Sequence, residues 1–468
     1  MNCFLNKKIH ACILMIYSLF VTGCGTRMPD VQIGMHAHDY GFSLRENEAI
    51  IMDSYVRRPS GRLFCVRKEY GQWRVTQEEN WFGDCIPRGI VLGNNWFCVL
   101  GGNLFDYRLF LFQRDGDQWK YRFTLDDEIV RKLRHIQLTE YDGLLVSVFA
   151  DHESQGVYCR RLNEESSGWT RIASPPGPTG DTAFGDFFSV VGDTLFVYDS
   201  RAFFSPEENR LLHLTPLDCL PSFITEGRNG SIQKSTIYAW RRSGDEWVYE
   251  CDFYPLLPHP TTAALREELA ALTAYPDWHR LIHFSQRKIH TIHGQTYLPA
   301  SDGRYYVFER NDAEEWVYSH RFDPPQYETY QAKYVSRDYG AYLILQEKYS
   351  IAFPNDQPLF DVVDSSRIEE WSPLWTQTYG SHELRKMELL QRKNDQRYIS
   401  ARYDGSIAGN TVLMSYNSIE SYEPKHSMHR SPVWGGVSIF EIDDETGPHE
   451  VFRMETRDET GLKVIENQ

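Results

Sequence analysis

One segment, residues 184–253, contains four short stretches of β-strand character in series. Gly192-Asp193 separates the first two stretches, and Ser243-Gly244-Asp245 separates the last two. Turns of this composition between aromatic and β-branched runs are typical of β-hairpins. The segment therefore predicts one four-stranded antiparallel sheet.

Variants of this unit recur along the chain. A third strand followed by a turn ends at Trp73, Trp119, Trp169, Trp247, Trp316 and Trp371, and a seventh copy at 436–440 lacks the Trp. The turn between strands one and two gives the same count of seven: Asn47-Glu48, Gly93-Asn94, Asp142-Gly143, Gly192-Asp193, Gly294-Gln295, Tyr339-Gly340 and Gly409-Asn410. Two independent features thus indicate seven copies of one unit.

The strands need apolar surroundings on both faces of their sheet. The run 144–149 reads Leu-Leu-Val-Ser-Val-Phe and does not alternate apolar with polar residues. Radially stacked four-stranded sheets provide such cover, whereas one open sheet would expose long edges. The sequence predicts an all-β fold, a seven-bladed β-propeller of four-stranded antiparallel blades over residues 36–455, with short helical insertions at 262–272 and 381–391. The predicted blades are 36–80, 81–127, 132–174, 182–254, 281–323, 330–378 and 396–455, and a C-terminal tail follows at 456–468.

The unit at 184–253 resembles a known repeat. It opens with Phe-Gly, continues with Gly-Asp-Thr-Leu, and ends with an aromatic strand, Arg-Arg-Ser-Gly and Trp. This form is similar to the FG-GAP repeats of integrin-alpha-like seven-bladed propellers, and most of all to their bacterial extracellular version. That family often carries a calcium loop of Asp-x-Asp-x-Asp-Gly type, and Arg114-Asp115-Gly116-Asp117 has too few carboxylates for one. We therefore expect no calcium and no other cofactor.

Two other propeller families share part of the pattern. Pyrroloquinoline-quinone-type repeats of outer-membrane assembly lipoproteins also run from Gly and an aromatic strand to Trp, with a longer turn and usually eight blades. Sialidase Asp-boxes need Ser-x-Asp-x-Gly-x-x-Trp, and residues 241–247 lack that Asp. An assembly factor therefore stays an alternative, and the Asp-box is disfavoured.

The N-terminus resembles that of a bacterial lipoprotein. Lys7 and Lys8 precede a mostly apolar run at 9–21, which is too short to span a bilayer comfortably. The sequence Val21-Thr22-Gly23-Cys24 resembles a lipobox. The resemblance implies a signal peptide at 1–23, lipidation of Cys24, a linker at 24–35, and membrane lipid as the partner of the acyl chains. Gly25, rather than Asp, follows Cys24, which by analogy with enteric lipoproteins indicates the outer membrane of the cell envelope.

Charge and cysteine content narrow the function further. The formal net charge is -16, so the field of the protein opposes nucleic acid binding and we expect no such partner. Cys65, Cys98 and Cys159 fall within strand patterns and are expected to be buried thiols. Cys219 and Cys251 form the one pair worth testing as a disulfide.

No motif of a known catalytic type is present. The chain has no Gly-x-Ser-x-Gly, no His-Glu-x-x-His and no phosphate loop. His36 and His38 lie where the first blade begins, and His290 and His293 would face opposite sides of a strand, so neither pair predicts a metal site. A carbohydrate-active hydrolase or lyase stays an alternative, because sequence does not show the separation of two carboxylates.

The long connections are predicted to lie on one face of the propeller. In an up-and-down blade the two-three loop and the crossover to the next blade share a face. The long segments 201–234, 255–282, 346–357, 372–398 and 417–435 are all predicted to belong to that set. Binding residues usually sit in such loops. The candidate ligand-face residues are Phe203, Phe204, Trp278, His279, Trp375, Tyr422, His429 and Trp434.

The predicted function follows from the anchor and the loops together. We expect a membrane-anchored extracytoplasmic binding or scaffold protein that presents this face to a protein or carbohydrate partner. Aromatic and His side chains suit such partners better than they suit a small charged metabolite.

Overall fold

The structure is a computed structural model. It describes residues 38–55, 60–80, 86–103, 106–139, 143–148, 155–163, 167–176, 184–203, 233–244, 246–257, 289–300, 304–324, 341–354, 359–379, 398–421, 434–456 and 462–465. The predicted signal peptide, Cys24 and both predicted helical insertions lie outside these residues.

Strands in the described part of the chain form seven separate sheets. Blades 1 and 2 contain β1 (His38–Arg45), β2 (Glu48–Tyr55), β3 (Ser60–Glu69), β4 (Gln72–Asn80), β5 (Ile86–Leu92), β6 (Trp96–Asn103), β7 (Asp106–Asp115) and β8 (Gln118–Leu125), followed by helix α1 (Glu128–Arg131). Blades 3 and 4 contain β9 (Leu133–Leu138), β10 (Gly143–Val148), β11 (Gly156–Arg161), β12 (Thr170–Ala173), β13 (Phe184–Val191), β14 (Thr194–Phe203), β15 (Gln233–Ser243) and β16 (Glu246–Asp252).

Blades 5 to 7 complete the set. They contain β17 (His290–Ile292), β18 (Gln295–Pro299), β19 (Tyr305–Arg310), β20 (Trp316–Phe322), β21 (Ala341–Ile344), β22 (Tyr349–Pro354), β23 (Leu359–Asp364), β24 (Pro373–Thr378), β25 (Tyr398–Ala408), β26 (Thr411–Ser421), β27 (Trp434–Asp443), β28 (Gly447–Thr456) and β29 (Leu462–Val464). Two 3-10 helices, Tyr254–Leu256 and Ser365–Glu370, follow β16 and β23.

Every blade has the same topology. Its strands pair antiparallel in chain order, and blade 7 adds β29 as a fifth strand. First strands of neighbouring blades touch, as β1 does with β5 and with β25, so they lie innermost. The fourth strands, such as β4 and β8, are largely exposed and lie outermost. The fold is a seven-bladed β-propeller, as the sequence predicts.

The hydrophobic core is divided among the seven gaps between blades. Each of seven clusters of buried side chains draws its members from two neighbouring blades. Between blades 7 and 1, Ile51 and Phe64 pack with Leu413, Val437 and Met454. Full burial of such a side chain contributes about 1.5–3 kcal/mol, so the energy that forms the core also holds the blades together.

The ring closes without a shared strand among the described residues. Blade 1 is built entirely from β1–β4 and blade 7 from β25–β29, and the described parts of the two blades exchange no strand. The contact includes a hydrogen bond from the Thr411 hydroxyl to the backbone carbonyl of Glu46, at 2.7 Å. Closure therefore depends on side chains rather than on a shared sheet.

Most first-to-second turns lie close to their predicted positions, but blade 6 differs. Gly192-Asp193 and Gly409-Asn410 are two-residue turns, and both glycines have positive φ. In blade 6 the turn is 345–348, and Tyr349–Pro354 is a strand, so the prediction of a turn at Tyr339-Gly340 and a loop at 346–357 is wrong. The actual turn contains no glycine to reveal it.

The thiols of Cys65 and Cys98 are buried, as the strand pattern predicts, whereas Cys159 is only partly buried. Burial raises the pKa of both Cys65 and Cys98 to about 12. Cys251 is a free thiol in β16, and its candidate partner Cys219 lies outside the described residues.

Gly447 offers a test of the packing between blades 6 and 7. Its φ is +81°, and an added Cβ would lie 2.6 Å from ring carbons of Trp375. Gly71 has φ +79° with nothing within 4 Å. Gly447→Ala and Gly71→Ala should each lower the free energy of unfolding by about 1–2 kcal/mol, because alanine is strained in the left-handed conformation. Gly447→Ala should lose about 1–3 kcal/mol more by overpacking. Urea unfolding of both variants checks this, and equal losses would contradict the close packing.

Candidate binding face

The antiparallel strand order gives the propeller two distinct faces. We call the face with the one-two and three-four turns the hairpin face, and the face with the two-three loops and the crossovers the loop face. Many turns on the hairpin face have two residues, including Tyr70-Gly71, Gly116-Asp117 and His293-Gly294, and the longest described one, 365–372, has eight. The segments 204–232, 258–288, 325–340, 380–397 and 422–433 all join strand ends at the loop face.

Two candidate residues occupy strand ends at the loop face. Phe203 is the last residue of β14 and pairs with Gln233, so the segment 204–232 begins and returns at one place. Trp434 is the first residue of β27 and pairs with Ser418. Both positions therefore lie at the base of a long connection.

Trp375 does not lie in a loop, so the prediction that a loop begins at 372 is wrong. It is the third residue of β24, and its ring packs edge-to-face with that of Tyr349, with the ring centres 6.1 Å apart. Since Tyr349 and Gly447 both adjoin hairpin-face turns, Trp375 lies towards that face and packs between blades 6 and 7. Tyr379, one residue after β24, is 1% exposed in the same cluster.

The structure does not describe the other five candidate residues. Phe204, Trp278, His279, Tyr422 and His429 lie outside the described residues. Their positions in the chain assign them to the segments 204–232, 258–288 and 422–433, whose strand ends are at the loop face.

The hairpin face is held together by ionic contacts between blades. Glu48, the first residue of β2, is 7% exposed and accepts a hydrogen bond from the Trp119 indole of blade 2 at 3.0 Å. Arg67 and Arg114 also donate to this carboxylate. The Arg114 guanidinium lies 4.2 Å from the centre of the Trp119 ring, within cation–π range. We call this arrangement, an acidic side chain bound by a Trp and a basic residue of the next blade, a carboxylate clip.

The same clip occurs between other blades. Glu250 of blade 4 accepts from the Trp316 indole at 3.0 Å and from Arg310 through both carboxylate oxygens. Glu441 of blade 7 accepts from the Trp73 indole at 2.6 Å and from Lys68 at 2.8 Å, which links blade 7 to blade 1. These Trp side chains therefore hold neighbouring blades together.

A related contact without an indole joins blades 6 and 7. Lys348 and the Tyr349 hydroxyl both donate to Asp444 at 2.8 Å. The hydrogen bond from Lys348, and then that from Tyr349, lowers the pKa of the Asp444 carboxyl. Burial, together with the bond to Asp444, raises the pKa of Tyr349. The hairpin face is thus cross-linked at successive seams.

Part of each clip could have been found in the sequence. Lys68 and Arg114 each precede a blade Trp by five residues, because both flank a tight three-four turn. The acids give no such signal, since Glu48, Glu250 and Glu441 lie in a second, a fourth and a third strand respectively.

Trp371 departs from the repeat. It is not in the fourth strand of blade 6 but ends the 3-10 helix Ser365–Glu370 with φ 37°. The helix displaces Trp371 from the start of β24, and its buried indole N–H has no hydrogen-bond partner among the described residues, so this position in blade 6 makes no carboxylate clip.

Within the described ranges, no three or more His, Cys, Asp and Glu side chains come together as a metal site would require. His290 is a buried strand residue, whereas His293 lies in the following turn rather than in the strand. Among the same residues, no helix combines the length and apolarity needed to cross a bilayer.

Known proteins offer only distant comparisons. No family model matches the chain, and no curated protein sequence matches it. A prolyl endopeptidase structure is similar over 96% of this chain with 10% identity and a TM-score of 0.43, and the chain spans 59% of that protein's length. The β-propeller domain of Cps50 (Swd1) from Myceliophteria thermophila matches 74% of this chain and 89% of its own, with 9% identity and a TM-score of 0.39.

A third similar structure is AztD of Citrobacter koseri. It matches 90% of each chain with 8% identity and a TM-score of 0.39. At these values the likeness carries no functional argument. The fold assignment rests on the seven sheets themselves.

The clip between blades 1 and 2 gives a stability prediction. Glu48→Gln removes the charge that Arg67 and Arg114 face, and should lower the free energy of unfolding by about 3 kcal/mol. Glu46→Gln removes the same charge from an exposed turn and should change it by less than about 0.5 kcal/mol. Urea unfolding followed by Trp fluorescence compares the two. Equal midpoints would show that the clip does not stabilise the seam.

Proposed function

We propose that this chain is a lipid-anchored protein of the bacterial cell envelope whose propeller binds a protein or carbohydrate partner through its loop face. The observation that carries the binding part is the asymmetry of the disc. The five longest connections, of 12 residues or more, join strand ends at the loop face, while the connections between described strands at the hairpin face have at most eight residues. A scaffold that lengthens loops on one face only is typical of a binding surface.

The anchor part rests on the N-terminal sequence. Lys7-Lys8, the apolar run at 9–21 and Val21-Thr22-Gly23-Cys24 follow the order of a lipoprotein signal. Cys24 would carry the acyl chains, residues 24–35 would link it to the first blade, and Gly25 favours the outer membrane. The FG-GAP-like form of residues 184–253 agrees with an extracytoplasmic location, since the repeat it resembles is extracellular.

The binding surface would be built from loops on a rigid base. Phe203 and Trp434 lie at the roots of two long connections, and both are in strands paired to a neighbour. Aromatic residues at such positions favour recognition of a protein or a sugar. We propose no cofactor for this activity and no catalytic step.

The anchor is tested by Cys24→Ser. The change should block lipidation and signal removal, so that the chain keeps its leader mass and carries no acyl groups. Mass spectrometry of the purified protein and phase partitioning in a detergent check both. A mature mass and partitioning identical to those of the unchanged chain would rule out lipidation at Cys24.

The binding face is tested by replacing 204–232 and 422–433, separately, with short Gly-Ser linkers. The first gap is narrow because Phe203 pairs with Gln233, and the second linker must lead from Ser421 back to Trp434, which pairs with Ser418 three residues earlier in β26. Cross-linking on cells, followed by affinity capture and quantitative mass spectrometry, should show a partner reduced at least ten-fold by one or both replacements. Glycan arrays probed with the same proteins cover a carbohydrate partner.

The matched control adds a Gly-Ser insertion at Gly116. That turn is on the hairpin face, and nothing lies within 4 Å of a Cβ built there, so an insertion should be accommodated. Partner capture should survive it. Loss of the partner on insertion at Gly116, with retention in both loop replacements, would assign binding to the opposite face.

A further inference from the structure

A pocket lies on the outer rim of the propeller, between the fourth strands of blades 1 and 2. Its volume is about 340 Å³, within the range of small-ligand sites. The floor is formed by Leu63, Phe112 and Trp119, each no more than 3% exposed. The walls come from the polar side chains of β4 and β8. An apolar floor under a polar wall is the usual form of a binding pocket.

Several hydrogen-bonding groups in the wall have no protein partner among the described residues. The carboxamides of Asn80 and Gln118 form no hydrogen bond there, and Glu79 uses only one carboxylate oxygen, which accepts from Gln77 at 3.0 Å. The site thus offers one carboxylate oxygen as an acceptor and two amides that both donate and accept. A ligand rich in hydroxyl groups could satisfy all three.

The wall is preorganised by contacts across the seam. The Gln77 amide accepts from the backbone N–H of Trp119 at 2.9 Å and donates to its carbonyl at 2.7 Å. This bidentate contact fixes the amide that holds Glu79. Groups fixed before binding lose less entropy when a ligand arrives.

An aromatic ring completes the pocket. Tyr121 is 47% exposed, while its edge-to-face contact with Phe112, at 5.8 Å, and the bond between its hydroxyl and Thr124, at 2.8 Å, hold it in place. The ring therefore presents a rigid, half-exposed face. The C–H face of a pyranose can pack on such a ring while its hydroxyls bond to the wall.

The charges of the site favour a neutral ligand. Lys120 is bound to Asp115 at 2.7 Å, so its charge is already paired. Glu79 has no cationic partner among the described residues and would repel phosphate, sulfate or a uronate. A ligand of several hydroxyls with an apolar face, and with no negative charge, fits these groups best.

We propose that this pocket between blades 1 and 2 is a binding site for a single neutral hexose residue, separate from the loop face. Tyr121 provides the stacking surface, Glu79 accepts hydroxyl protons, and Asn80 and Gln118 bond to the remaining hydroxyls. The assignment does not depend on the function of the loop face, because the two sites share no residue.

The test measures binding of methyl hexosides to the full chain, purified in a detergent without a sugar headgroup. The probes are the methyl glycosides of glucose, galactose and mannose, with methyl glucuronate and N-acetyl-lysine methylamide as charged comparisons. Saturation-transfer NMR should show at least one neutral hexoside bound more tightly than either charged probe. No neutral hexoside bound, or tighter binding of the lysine derivative, would overturn the proposal.

Variants then locate the binding. Tyr121→Ala and Asn80→Ala should weaken the hexoside at least ten-fold, and Tyr121→Phe should retain it, which separates loss of stacking from loss of folding. Glu79→Gln should weaken the hexoside and improve binding of glucuronate. Tyr249→Ala removes a tyrosine that is 43% exposed on the outer strand of blade 4, and should have no effect. Hexoside binding unchanged in Tyr121→Ala, or equally reduced in Tyr249→Ala, would overturn the proposal.

Discussion

Burial between blades is the constraint on which the whole molecule depends. Each sheet has two apolar faces, and neither can be covered within the blade that owns it. Every one of the seven buried clusters therefore combines two neighbours, including the cluster in which Ile51 meets Leu413 and closes the circle. A sheet removed from this arrangement would expose both of its apolar faces, so each blade depends on both of its neighbours for its stability.

The two faces of the disc differ in how their strand ends are held. On the hairpin face, tight turns bring Glu48, Glu250 and Glu441 against indole and basic groups of adjoining blades. Those carboxylates are partly or fully withdrawn from water, so their attraction to Arg and Lys is screened less than at an open surface. The strands are thereby fixed at one end, and connections at the other end can vary in length with little effect on the seams.

The sequence contains the repeat because burial on both faces leaves the same apolar run in each blade. Turns such as those at Gly192 and Gly409 could be predicted closely because their positive φ requires a glycine, which is visible in the sequence. In blade 6 the turn was predicted at the wrong place, because the actual turn at 345–348 has no glycine. Trp371 also departs from the repeat, because a 3-10 helix precedes it and it lies before the fourth strand. The acidic residues of the carboxylate clips could not be predicted from the sequence, because a contact between blades joins residues that have no fixed separation in the chain. Of the candidate site, only the choice of face follows from strand order, and Trp375 shows that an aromatic near a loop can belong to a strand.

Closure without a shared strand has a consequence for how the chain could be rewired. Blade 1 takes all four strands from β1–β4, and blade 7 takes all of its strands from β25–β29, so the described crossovers between blades separate complete sheets. A circular permutation that joined the old ends and opened the chain at such a crossover would leave each ladder of backbone hydrogen bonds uncut. The order of blades around the circle would be preserved, and only the seam that carries the chain break would move. The backbone hydrogen bonds of the sheets therefore do not determine which blade comes first in the chain.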